Sequence, residues 1–345
     1  MNIEKAKAQF EKIVKSLPPI DKMLFAEHIK NCVDLTEKES EGCDVRVMQR
    51  NPKDLLQIFS NELRKIVPSE GIFESENIHF NTSGPDSDCI PFSTIHVDAF
   101  LYDDDMMDDM VENDEIRTYY CKNCKSDNVE KKTVISHSLS VLQLEYIFEY
   151  LLHAHCLIKD MSLLDLGSRM GGILYAANLY KAKKVSGIEI CKEFVNTTNK
   201  IIKDLNPILE KDEDGNVNIH VLQKDILDCA ETLRESNIVT ANNVFSFFNE
   251  PTKQLNLWTF LFQNLKEGTI IVHNPELEKH TFAHLDPQFD LDQLIKPLNH
   301  LNASKRFTRD KRANAHEIME IRIYKVVKTL GHVSKGNCYC QACHQ

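Results

Sequence analysis

The sequence predicts an α/β protein organised on a parallel sheet, and three observations carry that prediction. The stretch Leu163-Leu-Asp-Leu-Gly-Ser-Arg-Met-Gly-Gly172 is an apolar run that ends in an acid and breaks into a turn bounded by glycines. It reads as a buried strand, a tight loop and a helix opening at Gly171, with Ile173, Leu174, Ala177 and Leu179 on its apolar face. Lys184-Val-Ser-Gly-Ile-Glu-Ile190 then repeats the theme, a second strand closing on Glu189. Strands and helical stretches alternate from there on, the rhythm of βαβ units.

Taken in order, the next helix spans about Lys192 to Leu205, and an Asp214-Gly215 turn leads into a third strand, Val217 to Gln223, followed by Lys224-Asp225-Ile226. A fourth strand covers Ile238 to Phe245 and a fifth Gly268 to His273. Between them, Glu250-Pro251 opens a helix bearing Leu255, Trp258, Phe262 and Leu265. The last expected strand is Ile318 to Val327. A helix N-terminus facing a crevice at the carboxyl ends of parallel strands is where such folds bind nucleotide-like ligands. The loop lacks the Gly-x-Gly-x-x-Gly of dinucleotide sites and the Gly-Lys-Ser/Thr of phosphate loops. An acid about twenty residues after a glycine loop, here Glu189, can accept both hydroxyls of a ribose.

The loop resembles the acid-x-Gly-x-Gly-x-Gly motif of class I S-adenosylmethionine methyltransferases: Asp165, Gly167 and Gly171 are in place, and Arg169 stands where a middle glycine is usual. The resemblance implies a Rossmann-like seven-stranded methyltransferase sheet with S-adenosylmethionine as cofactor. It nominates Asp165, Gly167, Ser168, Arg169, Gly171, Glu189, Asp225, Ile226 and Asn242 as cofactor-binding residues, with Asp225 facing the adenine amino group. Arg169 must either point out of the pocket or help to line it. Ala241-Asn-Asn-Val-Phe-Ser-Phe-Phe248 falls where this family sets residues beside the transferred methyl. It lacks the prolines of enzymes that methylate base amines, and it is similar to the Asn-Asn-Phe segment of the non-SET histone lysine methyltransferases, which share the Asp-Leu-Gly-Ser loop. Asn242 and Asn243 would orient cofactor or amine and Phe245 would exclude water, so these three are the catalytic candidates. Structurally, Phe245, Phe247 and Phe248 could equally be core.

The rest of the chain bounds this reading. Its 345 residues exceed one typical domain. No apolar run reaches about eighteen residues and no cleavable apolar leader follows Met1, so neither membrane nor secretion is expected. Eleven cysteines in a long chain suit a reducing compartment, cytoplasm or nucleus. Of the net charge of -11, eight negative charges fall between Asp103 and Glu115 with no intervening base. This run reads as a solvated segment, a tether for a basic substrate tail, a metal-binding carboxylate cluster, or a helix whose apolar edge is Met106, Met107, Met110 and Val111. The charge gives no strong DNA-binding signal.

Upstream, Ile3, Phe10, Ile13, Val14 and Leu17 mark one helix ending at Pro18-Pro19, a second runs from Ile20 to about Val33, and a third starts at Asn51-Pro52 and stops at Pro68. Cys121-Lys-Asn-Cys124 has the spacing of a zinc half-site, and Cys338, Cys340 and Cys343 supply further thiolates. The expectation is a structural zinc stapling the two segments; the alternative is reduced thiols. Ser138 or Ser140 caps a helix carrying Leu144, Ile147, Phe148 and Leu151, ending at His153 and His155, which cannot share a helix face. His273 is a candidate base or a plain loop histidine. Lys305, Arg306, Arg309, Lys311 and Arg312 form a basic cluster expected in a solvated hairpin between the last two strands.

The organisation expected is therefore a helical module over 1–68, an acidic irregular connection over 69–137, the methyltransferase domain over 138–330 and a Cys-rich tail over 331–345. Three functions stay open: methylation of a macromolecular acceptor, a protein side chain preferred; methylation of RNA with the basic hairpin as phosphate clamp; and a non-catalytic scaffold of the same fold.

Overall fold

A computed structural model of the chain describes residues 51–331, except 77, 79–86, 92, 122, 124–128, 132, 157 and 312–314. The first two expected helices, Cys124, Arg312 and the tail cysteines Cys338, Cys340 and Cys343 lie outside the described residues.

Helix α1 (Pro52–Leu63) begins as its sequence dictates, with proline in the first turn and the Asn51 side chain accepting from the Lys53 amide. It buries Leu55, Leu56, Phe59 and Leu63, and Phe59 stacks on Tyr175 with ring centroids 4.3 Å apart. Strand β1 (Thr94–His96) follows, then α2 (Asp104–Glu112), which contains the acid run. Asp103 caps α2 through a 2.9 Å bond from the Met106 amide, acids occupy its first turn where the helix dipole favours them, and none of its residues is buried. Strands β2 (Tyr119–Cys121) and β3 (Val129–Lys131) form an antiparallel ribbon, and β4 (Thr133–Ile135) pairs in parallel with β1. Helix α3 (Val141–Glu145) opens on a reciprocal Ser140–Gln143 capping box and continues as a π-helix to Leu152.

The core consists of β5 (Ser162–Leu166), α4 (Gly172–Leu179), β6 (Lys184–Glu189), α5 (Lys192–Asp204), β7 (Ile219–Gln223), α6 (Ala230–Glu235), β8 (Ile238–Asn242), α7 (Pro251–Asn264) and β9 (Ile270–Asn274). It closes with α8 (Leu291–Leu294), β10 (Ile295–Pro297), α9 (Leu301–Lys311) and β11 (Arg322–Val326). The seven strands of the main sheet lie in the order β10-β11-β9-β8-β5-β6-β7. β5 to β9 run parallel, while β11 is antiparallel to both β9 and β10. The chain adds β6 and β7 on one side of β5 and then crosses to β8 on the other. That reversal opens a crevice at the carboxyl ends of β5 and β8. Trp258 and Phe262 from α7 pack on the sheet with Phe245 and Phe282, the Phe245 and Trp258 rings meeting edge to face at 5.2 Å.

Three details depart from the sequence expectations. The fourth strand stops at Asn242, because Asn243 takes a left-handed φ of 46° that turns the chain out of the sheet. The last strand begins only at Arg322, after a 3-10 turn at Ala315–Ile318. The basic cluster is not a hairpin: Lys305, Arg306, Arg309 and Lys311 lie on α9. Ala303 and Phe307 are its buried residues, and Phe307 sits between Tyr146 and Tyr150 at 5.2 and 5.1 Å, so helical packing on α3 and its continuation outcompetes a hairpin.

Candidate active site

One large cavity, of about 970 Å³, opens along the carboxyl ends of the parallel strands. Each strand end contributes: Gly167 after β5, Glu189 closing β6, Lys224, Asp225 and Ile226 after β7, Asn242 closing β8 and Asn274 closing β9. Upstream segments form the opposite wall, with Glu76, Ala99, His137 and Gln143 among them.

The β5–α4 loop is held by its backbone. Gly167 has a φ of 69°, and a Cβ there would meet Val244 Cγ2 at 2.4 Å. Gly171 has a φ of 82° and would strike Tyr175 and Thr198. Only glycine fits either position at low cost. Arg169, with a φ of 43°, adopts the same left-handed region without being glycine. Its amide donates to Glu189 Oε2 at 2.8 Å and its carbonyl accepts from Thr198 Oγ1 at 2.9 Å. The side chain is buried and lines the cavity. Its guanidinium donates to the Glu76 carboxylate and to the Gly71 carbonyl, and lies over the Phe194 ring at 4.7 Å. The strained backbone is thus offset by partners at its amide, its carbonyl and both terminal guanidinium nitrogens.

The three acids expected at the strand ends sit differently. Glu189 and Asp225 line the main cavity. Glu189 Oε1 accepts from the Cys191 amide at 2.8 Å, and burial raises its pKa despite that bond and the one from Arg169. Asp225 caps the turn after β7 by accepting from the Leu227 amide at 3.0 Å. Asp165 is buried, accepts from Thr240 Oγ1 at 2.7 Å, and lines a small adjoining cavity of about 30 Å³ rather than the main one. Desolvation pushes its pKa up to about 7, the Thr240 bond opposing and the Glu189 charge adding to the rise. Ser168 lines this small cavity too, its buried hydroxyl unpartnered.

On the other side, Asn242, Asn243 and Phe245 all line the main cavity. Asn242 links three segments: its Nδ2 donates to the His137 carbonyl at 3.1 Å and its Oδ1 accepts from Asn274 Nδ2 at 3.0 Å. Asn243 Oδ1 accepts from Ser246 Oγ at 2.5 Å. His137, whose ring meets Phe247 at 4.9 Å and whose Nε2 faces His96 Nδ1 at 2.9 Å, is kept neutral with a pKa lowered to about 2, chiefly by burial. His273 is not a cleft residue: it is buried inside β9 against Trp258, burial lowering its pKa to about 4.

Glu76, Ala99, Ser136, His137 and Ser138 had no sequence signal as site residues, because their segments have no periodicity that points at a crevice built 30 to 90 positions later. A charged residue in a glycine slot was the available clue: a buried Arg169 requires an acid from elsewhere. Of the expected zinc ligands only Cys121 is described, on exposed β2, and no group of three metal-ligating side chains occurs among the described residues.

The cavity suits S-adenosylmethionine by chemistry. Acids close β6 and follow β7 at its rim, glycine backbone forms the loop after β5, and the buried Arg169 Nε has no hydrogen-bond partner. A model of the family described as Histone methylation protein DOT1 matches residues 142–308, just under half of the chain. No curated protein sequence matches. Among solved structures, an RNA methyltransferase from Salinibacter ruber in complex with S-adenosyl-L-homocysteine is 18% identical, covering 54% of this chain and 94% of its own, at a TM-score of 0.34. A putative methylase from Haemophilus influenzae is 18% identical over 54% of this chain and 99% of its own, at 0.35. Magnesium protoporphyrin IX methyltransferase from Synechocystis with bound cofactor is 10% identical over 54% and 77%, at 0.34. The strand order and the family match across the β5–α4 loop together support a class I S-adenosylmethionine-dependent methyltransferase.

Proposed function

We propose that the chain methylates the side-chain amine of a lysine on a basic, histone-type protein, and that it works where such proteins are, in the nucleus. The observation that carries this reading is the overlap of the histone-methylation family match, residues 142–308, with the uncharged wall at Asn242, Asn243 and Phe245. Bound S-adenosylmethionine supplies an electrophilic methyl group on a sulfonium. Glu189 and Asp225 hold the nucleoside, accepting from ribose hydroxyls and from the adenine amino group. Asn242, fixed by His137 and Asn274, aligns the acceptor, while Phe245 and Phe248 exclude water from its path. An apolar, amide-lined wall disfavours an ammonium and lowers the amine pKa, which releases the lone pair the reaction needs.

A phosphate clamp on α9 for RNA is weakened because Lys311 is engaged by the buried Glu145 at 2.6 Å. The test is transfer of labelled methyl from S-adenosylmethionine by the full chain to core histones, nucleosomes and total RNA, each digested separately with protease and nuclease. Label that is released by protease and survives nuclease is expected. Label confined to RNA would overturn the acceptor. With the protein acceptor, kcat/KM should rise by about tenfold per pH unit between about pH 7 and 9, as the neutral amine fraction grows.

A further inference from the structure

The parallel strands divide the cavity between them. On one side the ends of β5, β6 and β7 bring Gly167, Glu189 and Asp225; on the other the ends of β8 and β9 bring Asn242 and Asn274. With the cofactor over the first group, the ends of β8 and β9 are left to the methyl acceptor. There Asn242 stands opposite Asn274 in register, and a carbonyl fixes the direction of both amides. The His137 backbone oxygen can only accept, so the Asn242 atom 3.1 Å from it is Nδ2. Asn242 Oδ1 must then face Asn274, which answers with its own Nδ2 at 3.0 Å. The chain of donors ends at that point. Asn274 Oδ1 accepts no hydrogen bond among the described residues, yet it is not one of the fold's sealed, unpartnered atoms. Asn274 is half-buried and lines the cavity, so this oxygen is open to what the cavity holds.

We propose that Asn274 contacts the acceptor, its Oδ1 taking a hydrogen from the amine being methylated, and that the site thereby favours amines that still carry N–H. The inference rests on the lysine reading above and deepens it. In each transfer the lone pair of the neutral amine forms the N–C bond, and the C–S bond breaks with its electrons going to sulfur. The nitrogen becomes positive, so an N–H aimed at Asn274 Oδ1 grows more acidic and its hydrogen bond tightens toward the transition state. The ammonium product loses a proton to water before it reacts again. A neutral primary amine carries two N–H groups, a monomethylated one carries one, and a dimethylated one carries none. The third transfer therefore sets a methyl group against Asn274 Oδ1, which then has neither water nor partner, and that transfer is the slow one.

The test offers the full chain, with labelled S-adenosylmethionine, two acceptors: recombinant core histones untreated, and the same histones with their lysines dimethylated by formaldehyde and borohydride. Wild type should label the untreated histones at least about tenfold faster, the scale of one lost hydrogen bond. Asn274→Leu, similar in volume, should slow the untreated histones by about tenfold while leaving the dimethylated ones within about twofold. Asn274→Asp keeps an acceptor oxygen but lacks the N–H that holds Asn242, and it should recover most of the rate on untreated histones. Equal losses on both preparations, or Asn274→Asp as slow as Asn274→Leu, would reduce Asn274 to a prop for Asn242 and overturn the inference. Equal labelling of both preparations by wild type would overturn it too, and each of these results leaves the lysine reading intact. Label that enters RNA and neither histone preparation would overturn both. Folding of each variant is checked by its thermal transition, and Asn274→Asp, nearly isosteric, answers against wild type if Asn274→Leu does not fold.

Discussion

Asp165 is placed so that its protonation state is coupled to folding. Its folded pKa, raised to about 7 by burial, exceeds the ordinary carboxylate value, so the native chain holds a proton that the unfolded chain releases. The associated stability is fully present below about pH 4 and is lost as pH rises through about 7. Asp165→Asn keeps an acceptor for Thr240 and removes the charge. The Tm of Asp165→Asn relative to wild type should therefore climb as pH goes from 5 to 8; a difference independent of pH would mean that Asp165 does not titrate in the fold. Gly167 fails differently. Gly167→Ala adds a Cβ 2.4 Å from Val244 Cγ2 on a backbone at positive φ, and should cost about 1–3 kcal/mol in urea unfolding together with cofactor affinity. Asp165 and Gly167 were both legible in the sequence, since a buried strand ending in acid-x-Gly announces its turn. The partner of the Asp165 side chain was not: it accepts from Thr240 and lines the small cavity beside Gly167 and Ser168. A strand's two faces differ by one residue, and a sequence does not show where the strand's last turn begins.

At the scale of elements, apolar pattern decided what could be read. β5, β6, β8 and β9 are buried almost throughout, and such runs stand out against polar surroundings. Helix α9 misled because its mean composition is basic and only Ala303 and Phe307 are buried. Its anchoring depends on Glu145, which is 1% exposed on α3 and within 2.6 Å of Lys311 and 3.7 Å of Lys53. Lys311→Met should leave that carboxylate buried with a weakened partner and lower the unfolding free energy by about 3 kcal/mol, whereas Arg309→Met, on an exposed pair, should change it by less than about 0.5. Equal effects from the two would remove Glu145 as the anchor. The acid run, read first as a solvated segment, forms the helix that its methionine spacing permitted, and none of its residues is buried.

Across the described residues, the glycine loop follows from local pattern, but the second wall of the cavity follows from long-range packing. The segments around Glu76, Ala99 and His137 carry no signature of their own and become site residues only when β1, β4 and α1 set them against the core. Sequence reasoning could reach the floor of the site, where neighbours in space are neighbours in pattern. The wall, assembled from residues 75 to 143, lay beyond it. What floor and wall enclose is a crevice lined by Glu189, which is bonded to the loop through the Arg169 amide and to the start of α5 through the Cys191 amide. The most direct measurement is a titration of the full chain with S-adenosylhomocysteine, alongside Glu189→Gln. One saturable site per chain, weakened at least about tenfold by Glu189→Gln, is the predicted result; no binding, or binding indifferent to Glu189, would contradict it.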